Sequence, residues 1–373
     1  MDTNLPPYNP TPPPPLAPPP LITPPRPAPA SKKGRGWMVV ALVLLVLLGF
    51  SALLNLGNFA SSFTTVGHER LGGLKLEEVI IEDNDAHDKI AVIRVEGIIA
   101  SQTDNGYDLA QLIQDQLARA ADDKHVRAVV LKVNSPGGEV LASDEIYKAL
   151  ANFQTDNEIP VVCSMGSLAA SGGYYIAAPC RWIVANELTI TGSIGVIMHG
   201  YNYRGLMDKV GLRREVYKSG KFKDMLSPDR SVDEVPPEER KMVQDLIDET
   251  YGKFKSIVAE GRAAAHKLNG KEGKALISDW ETYADGRVVS GKEALRLGLV
   301  DELGNFDTAV EKAFELAGLE TANLIEYEPR HDLADLFRLF GKSDARAIKV
   351  DLGLELPKLQ AGYLYFLAPT FIR

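Results

Sequence analysis

The residues from Met165 to Tyr175, Met-Gly-Ser-Leu-Ala-Ala-Ser-Gly-Gly-Tyr-Tyr, put a serine where the chain turns from strand to helix. An apolar run at 159–163 precedes them and reads as a buried strand; a helix-like segment ending near Ala178 follows. Ala169, Ala170, Gly172 and Gly173 are too small to cover the Ser171 hydroxyl. It can therefore stand at the mouth of a cleft, as a nucleophile does on a strand–turn–helix elbow. A plain small-residue turn packing a helix on a sheet would use the same residues.

Three other loops bear on that chemistry. Asn134-Ser135-Pro136-Gly137-Gly138 ends one strand and precedes a helix, and its paired glycines let backbone N–H groups approach a ligand as an oxyanion site requires. A phosphate cradle is the rival, but neither a Walker spacing nor G-x-G-x-x-G is present. Thr191-Gly192-Ser193-Ile194-Gly195-Val196 is a second small-residue loop, structural when taken alone. Lys218-Ser219-Gly220-Lys221-Phe222-Lys223-Asp224 has the composition of a basic surface loop. A serine also needs a base. Of the six histidines, His68, His87, His125, His199, His266 and His331, only His199 falls near the glycine-rich loops, and its neighbours suit an exposed turn equally well. A lysine base is the remaining option.

The elements that must position these loops are readable from apolar periodicity. Segments 90–95, 128–133, 160–163 and 182–185 read as strands; 108–119, 143–153 and the stretch after Ser171 read as helices. Strands alternating with helices at this spacing predict an α/β fold, layered around a mainly parallel sheet. A long helix is expected over 236–268, with prolines at its first turn, and a helix-rich segment runs from Gly286 to Gly318.

Composition narrows the function classes. The 373 residues allow one large domain or two modest ones, and a net charge of −9 argues against nucleic acid as the main partner. Cys163 and Cys180 are too few for a disulfide framework; Cys163 reads as a buried hydrophobe, and a single bridge between the two stays open. No Cys/His spacing suits zinc and no Asp-rich loop suits calcium, so no metal or cofactor is expected. Of the 24 residues from Pro6 to Pro29, 14 are proline, the composition of an extended tail. After Lys32, Lys33 and Arg35 comes an uncharged apolar run, 37–56, long enough for roughly 30 Å of helix and thus for a bilayer core. It exceeds the apolar region of a cleavable signal, and no Lys or Arg follows until Arg70, so the tail is expected in the cytoplasm and the rest outside. The expected organisation is a tail at 1–36, a transmembrane anchor at 37–57, a stalk at 58–87, a catalytic domain at 88–318 and a C-terminal extension at 319–373.

In this order the four loops closely resemble those of the signal peptide peptidase A family, membrane-anchored serine proteases sharing a core fold with Clp protease and the crotonases. The resemblance spans roughly residues 89–318, and no motif position departs from it; the proline tail lies outside the family pattern. It implies a Clp/crotonase-like fold preceded by one transmembrane helix. It implies that Ser171 is the nucleophile and that Lys223, directly before Asp224, is the general base rather than Lys218 or Lys221. Ser193 maps to a serine held close to the lysine amine, and Gly137 or Gly138 together with Gly172 to the oxyanion donors. It further implies ring or dome homo-oligomers with sites at subunit interfaces, on a plasma or inner membrane. The substrates would be cleaved signal peptides and other peptides, with apolar pockets for Leu, Ala or similar residues. The 52 positions between Ser171 and Lys223 permit a dyad within one chain or between two. A catalytically silent scaffold and a crotonase-type acyl-CoA enzyme are the alternatives; intact motifs disfavour the first and an extracytoplasmic domain the second.

A lysine base makes a physical demand. Its amine titrates near about 10.4 in water, and lowering that to ~7–8 means destabilising the ammonium by roughly 3–5 kcal/mol, mostly by desolvation. A carboxylate at the amine would oppose this, so the Asp224 side chain is expected to point away from Lys223.

Overall fold

The runs at 90–95, 128–133 and 161–163 are apolar apart from Arg94 and Lys132 and carry no alternating polar face, the pattern of strands covered on both sides. In the computed structural model they lie in the middle of a nine-stranded sheet. The structure describes residues 75–101, 108–270, 272–330 and 364–368, together with Leu42, Leu44, Leu45 and Leu48. Two units divide the chain, Met1–Leu71 and Gly72–Arg373. In the first, the four described leucines are helical and exposed; the rest of the anchor expected at 37–57 lies outside the described residues, as does the proline tail. Among the described residues no helix is long and apolar enough to cross a membrane.

The second unit runs through β1 (Leu76–Glu82), β2 (Lys89–Glu96), α1 (Leu109–Asp122), β3 (Val126–Ser135), β4 (Gly137–Glu139) and α2 (Val140–Asn157). Then come β5 (Val161–Ala170), α3 (Gly172–Ala177), β6 (Trp182–Ala185), β7 (Ile190–Gly192), α4 (Arg204–Lys209) and α5 (Pro237–Leu268). It closes with β8 (Val288–Ser290), α6 (Gly291–Leu297), β9 (Glu302–Leu303), α7 (Phe306–Ala317), β10 (Asn323–Pro329) and β11 (Tyr365–Leu367). The sheet order is β1-β10-β2-β3-β5-β6-β9, with β7 pairing the far end of β5 and β8 pairing β7. Only the β1–β10 and β7–β8 pairings are antiparallel, so the sheet is mixed but mostly parallel, as the alternating pattern predicts.

Side chains alternate between the faces with the strand's period of two. Along β3, Val129, Leu131 and Val133 face α1, α2 and α5, packing with Ile113, Ile146, Leu150 and Phe254. Ala128 and Val130 face the other way, onto Ala309 and Ala313 of α7. Each Val, Leu or Ile buried in this way contributes about 1.5–3 kcal/mol. Local signals set the helix ends: Asp108 caps α1 by accepting from Ala110 N at 2.9 Å and Gln111 N at 3.2 Å, and Pro237 opens α5 where its missing N–H is not needed.

The sheet reaches past the segment expected to form the catalytic domain at both ends. β1 lies within the stretch read as a stalk and β10 within the stretch read as an extension, and the two pair with each other. β1 is an edge strand of sequence LEEVIIE, mostly exposed, so its apolar periodicity is weak. β5 also runs on past Cys163 to Ala170, although Ser164, Gly166 and Ser167 interrupt its apolar run. Side-chain bonds hold that polar half: Leu168 N donates to Asn134 Oδ1 at 3.2 Å, and Thr189 Oγ1 donates to the Gly166 carbonyl at 2.8 Å. Cys163 and Cys180 are both buried free thiols.

Candidate active site

β5 delivers Ser171 to the start of α3 in an unusual backbone conformation, φ 54° and ψ −117°. For a residue with a Cβ this stores about 1–3 kcal/mol and persists only where neighbours enforce it. They do so here. Ser171 N donates to the Gly192 carbonyl at 2.8 Å, and the Ser171 carbonyl accepts from Tyr175 N at 2.8 Å. α3 is pressed against the β3–β4 turn so closely that only glycine fits its first two positions. A Cβ on Gly172 would lie 2.7 Å from Ser143 Oγ, and one on Gly173 would lie 2.8 Å from the Ser135 carbonyl oxygen. Ser171 is only 1% exposed, and its buried Oγ has no hydrogen-bond partner among the described residues. An orphaned hydroxyl of this kind costs about 1–3 kcal/mol.

Gly137 and Gly138 meet this elbow from β4. Gly137 has φ +99°, and the Cβ position it lacks is 2.6 Å from Gly172 N and 2.0 Å from the Phe366 carbonyl oxygen. Its own N–H is taken by Ser135 Oγ at 3.0 Å. Glu139 N and the Gly137 carbonyl turn to Ile99, at 2.7 and 2.9 Å. By strand alternation the Gly138 N–H turns the opposite way, toward β11. The Gly138 nitrogen lies 3.1 Å from the Cβ position that Gly172 lacks.

Ser193 belongs to the same cluster. Its preceding residue, Gly192, accepts the Ser171 N–H; Ser193 itself is 3% exposed, has φ 51°, and donates its N–H to the Arg287 carbonyl at 2.7 Å. The structure therefore brings Ser171, Gly172, Gly137, Gly138 and Ser193 together. Lys223 stands apart. It is exposed within a run of turns, and its amine makes no ion pair or hydrogen bond among the described residues, Ser171 Oγ included. Within one chain Lys223 is therefore not the desolvated amine that a Ser–Lys dyad would require. The Asp224 carboxylate is directed elsewhere, as expected: it pairs with Lys218 at 2.8 Å and Arg214 at 2.6 Å. Those two cations, Lys218 first, hold its pKa down at about 2. His199 has a buried Nδ1 without a partner among the described residues, and it too is not bonded to Ser171.

Two features escaped the sequence reading. Tyr175, one turn after Ser171, donates its phenol to Asp144 at 2.8 Å, and Lys148 and Lys253 bridge that carboxylate at 2.8 and 2.7 Å. Burial, then the bond to Asp144, pushes the Tyr175 phenol well above its ordinary range. Burial opposes the Asp144 charge, but the Lys148, Lys253 and Tyr175 bonds outweigh it and lower its pKa. An aspartate within an otherwise apolar helix face was the available signal. The second feature is β11, which lies against β4 and is separated from the end of β10 by 35 residues; three residues, Tyr-Phe-Leu, carry no periodicity to read.

A strained serine elbow facing paired backbone donors, on a mostly parallel α/β sheet, defines a serine-type peptidase with a Clp protease-like fold; the Clp protease family matches residues 82–183. Residues 153–320 match peptidase family S49. The chain is 41% identical over 268 residues to a protein of Synechocystis sp. named as a protease, covering 71% of this chain and 88% of that one. It is 35% identical over 306 residues to an Enterococcus faecium protein named as signal peptide peptidase SppA, covering 79% and 84%. A Methanocaldococcus jannaschii protein named as a protease is 33% identical over 290 residues, covering 78% and 84%. The chain belongs to peptidase family S49, the signal peptide peptidase A family.

Proposed function

We propose that this protein is a membrane-anchored serine endopeptidase with a Ser–Lys dyad, degrading remnant signal peptides and other peptides at the extracytoplasmic membrane face. The observation that carries it is the buried, unpartnered Ser171 Oγ, held on a strained elbow beside Gly138 and Gly172. Such a hydroxyl is poised for a base that a neighbouring chain brings, and Lys223 is that base. Its segment supports the reading: Tyr201, Leu206, Val210, Leu212 and Tyr217 are large apolar side chains at 57–93% exposure. Exposed apolar surface on this scale marks a docking face, here for another copy of the chain. Docking would also dry the Lys223 amine, and Ser193 would orient it.

Neutral Lys223 takes the Ser171 proton as Oγ attacks the scissile carbonyl, and the Gly138 and Gly172 N–H groups stabilise the oxyanion. The C–N bond breaks, Lys223 returns its proton to the leaving amine, and water hydrolyses the acyl-serine by the same route. No metal or cofactor takes part in these steps.

The test mixes purified Ser171→Ala and Lys223→Ala proteins. Each alone is expected to be inactive on peptides, and the hybrid to recover activity through sites pairing an intact serine with an intact lysine. Activity in either single variant rejects the dyad. Failure of a serine-reactive fluorophosphonate to label Ser171 favours a silent scaffold instead.

A further inference from the structure

α3 is six residues long, too short to hold a direction by its own backbone bonds. Yet Ser171 is its N-cap and Gly172 its first residue, and both must keep a fixed aim if a carbonyl is to be attacked and its oxygen held. Two phenols on the helix supply the hold. Tyr174, fully buried, donates to the Leu299 carbonyl at 2.7 Å. Tyr175, 1% exposed, donates to the Asp144 carboxylate of α2 at 2.8 Å. Successive helical residues point about 100° apart, so two anchored neighbours fix the rotation of α3 about its axis.

The two anchors are unequal. Leu299 offers a neutral carbonyl, whereas a bond to a charged carboxylate is roughly twice as strong. Lys148, four residues along α2, and Lys253 of α5 pair with the same carboxylate at 2.8 and 2.7 Å, so Asp144 ties α2, α3 and α5 at one point. The residue before it, Ser143, presses its Oγ on the space beside Gly172. The first turn of α2 thus grips both the start of α3 and its fourth residue. Tyr175 N also donates to the Ser171 carbonyl at 2.8 Å, so a rotation at Tyr175 reaches the elbow directly. The strain at Ser171, φ 54°, favours a relaxed backbone and survives only where neighbours over-determine it.

We propose that Asp144 is a positioning residue for the peptidase reaction: through Tyr175 it holds the rotation of α3, and with it the aim of the Ser171 hydroxyl and the Gly172 N–H. The proposal rests on Ser171 being the nucleophile, and it assigns a role to a carboxylate outside the dyad.

The experiment uses full-length protein at one concentration, with the assembly state of each variant matched by size exclusion. Tyr175→Phe deletes the phenol oxygen and keeps the ring; Asp144→Ala removes the acceptor. On a quenched fluorescent peptide each is expected to lower kcat about tenfold with KM within about twofold, because only the aim of the reacting groups changes. The rate of labelling by a serine-reactive fluorophosphonate should fall by a similar factor. The double variant should be no slower than Asp144→Ala alone, since both changes break one bond. A merely structural contact would lower Tm and leave kcat per labelled site unchanged. Unaltered kcat and labelling in folded Tyr175→Phe overturn the proposal, as do losses that multiply in the double variant or a loss confined to KM. Should one single variant fail to fold, the other decides. Should the unaltered protein neither cleave peptide nor take label, the dyad reading fails separately, and hydrogen exchange decides. Protection across 172–178 should then drop in Tyr175→Phe relative to the rest of the fold, and equal protection overturns the proposal.

Discussion

Replacing Ser171, the proposed nucleophile, is expected to make the protein more stable. Ser171 Oγ is buried and has no partner among the described residues, so it bears the desolvation of a hydroxyl with no bond from them in return. That burden is about 1–3 kcal/mol. Alanine has the same Cβ and meets the same strain at φ 54°, so Ser171→Ala removes the hydroxyl and leaves the elbow alone. The expected gain is about 1–2 kcal/mol, or roughly 2–4 °C in Tm for each kcal/mol in a domain of this size. Ser143 is the control, because its buried Oγ is satisfied by the Glu139 carbonyl at 2.8 Å; Ser143→Ala should lose about 0.5–1.5 kcal/mol. Thermal unfolding followed by tryptophan fluorescence, reported by Trp182 and Trp280 in the folded unit, measures both. It should be run at concentrations low enough to separate any assembled chains, since a neighbour's lysine on the hydroxyl would shrink the gain. If Ser171→Ala loses stability as Ser143→Ala does, the hydroxyl has a partner and the reasoning fails.

Two more perturbations address the loops. Gly138→Ala would put a Cβ 1.8 Å from the Ile99 carbonyl oxygen, a backbone atom that cannot swing aside. The turn must shift and give up the Ile99 N–Gly137 O and Glu139 N–Ile99 O bonds, so urea denaturation should show a loss of about 1–3 kcal/mol, with peptide cleavage abolished. Undiminished cleavage would remove Gly138 from the proposed oxyanion site. The second concerns acid. Asp224 titrates at about 2 in the folded chain against 3.8 ordinarily, chiefly through Lys218 and then Arg214. A depressed carboxylate stabilises above its unfolded pKa, so its contribution is whole above about pH 4 and is lost as pH falls through about 2. Hydrogen exchange across residues 214–230, corrected for intrinsic rates, should show protection declining over that window. Asp224→Asn should flatten the decline, and an unchanged decline would refute the assignment.

How far the sequence discloses this molecule depends on where each constraint is local. β3, expected at 128–133 and found at Val126–Ser135, announces itself because its central run, Ala128 to Leu131, is apolar and buried on both faces. β1 does not, since an exposed antiparallel edge strand needs only one sparse apolar face. The glycine pairs at 137–138 and 172–173 are legible for a steric reason: a Cβ at any of them would collide at 2.0, 1.8, 2.7 or 2.8 Å. β11 is illegible because its partners, Gly138 and Ile197, lie more than 160 residues away in the chain.

The lysine sets a different kind of limit. In the proposed dyad a lysine base working at neutral pH must be desolvated, whereas Lys223 is exposed and Ser171 Oγ is buried without a partner among the described residues. Each group is destabilised or idle for want of what the other has: the hydroxyl lacks a bond, and the amine lacks a dry wall. The apolar side chains from Tyr201 to Tyr217 surround neither group in one chain but are carried by the lysine's own segment. A docking event that buries those side chains would dry the amine and complete the hydroxyl in one step. On that account association and activity rise together with protein concentration, and a Leu206→Asp substitution on that face should depress both. Loss of activity with association intact would separate the two and break the link argued here.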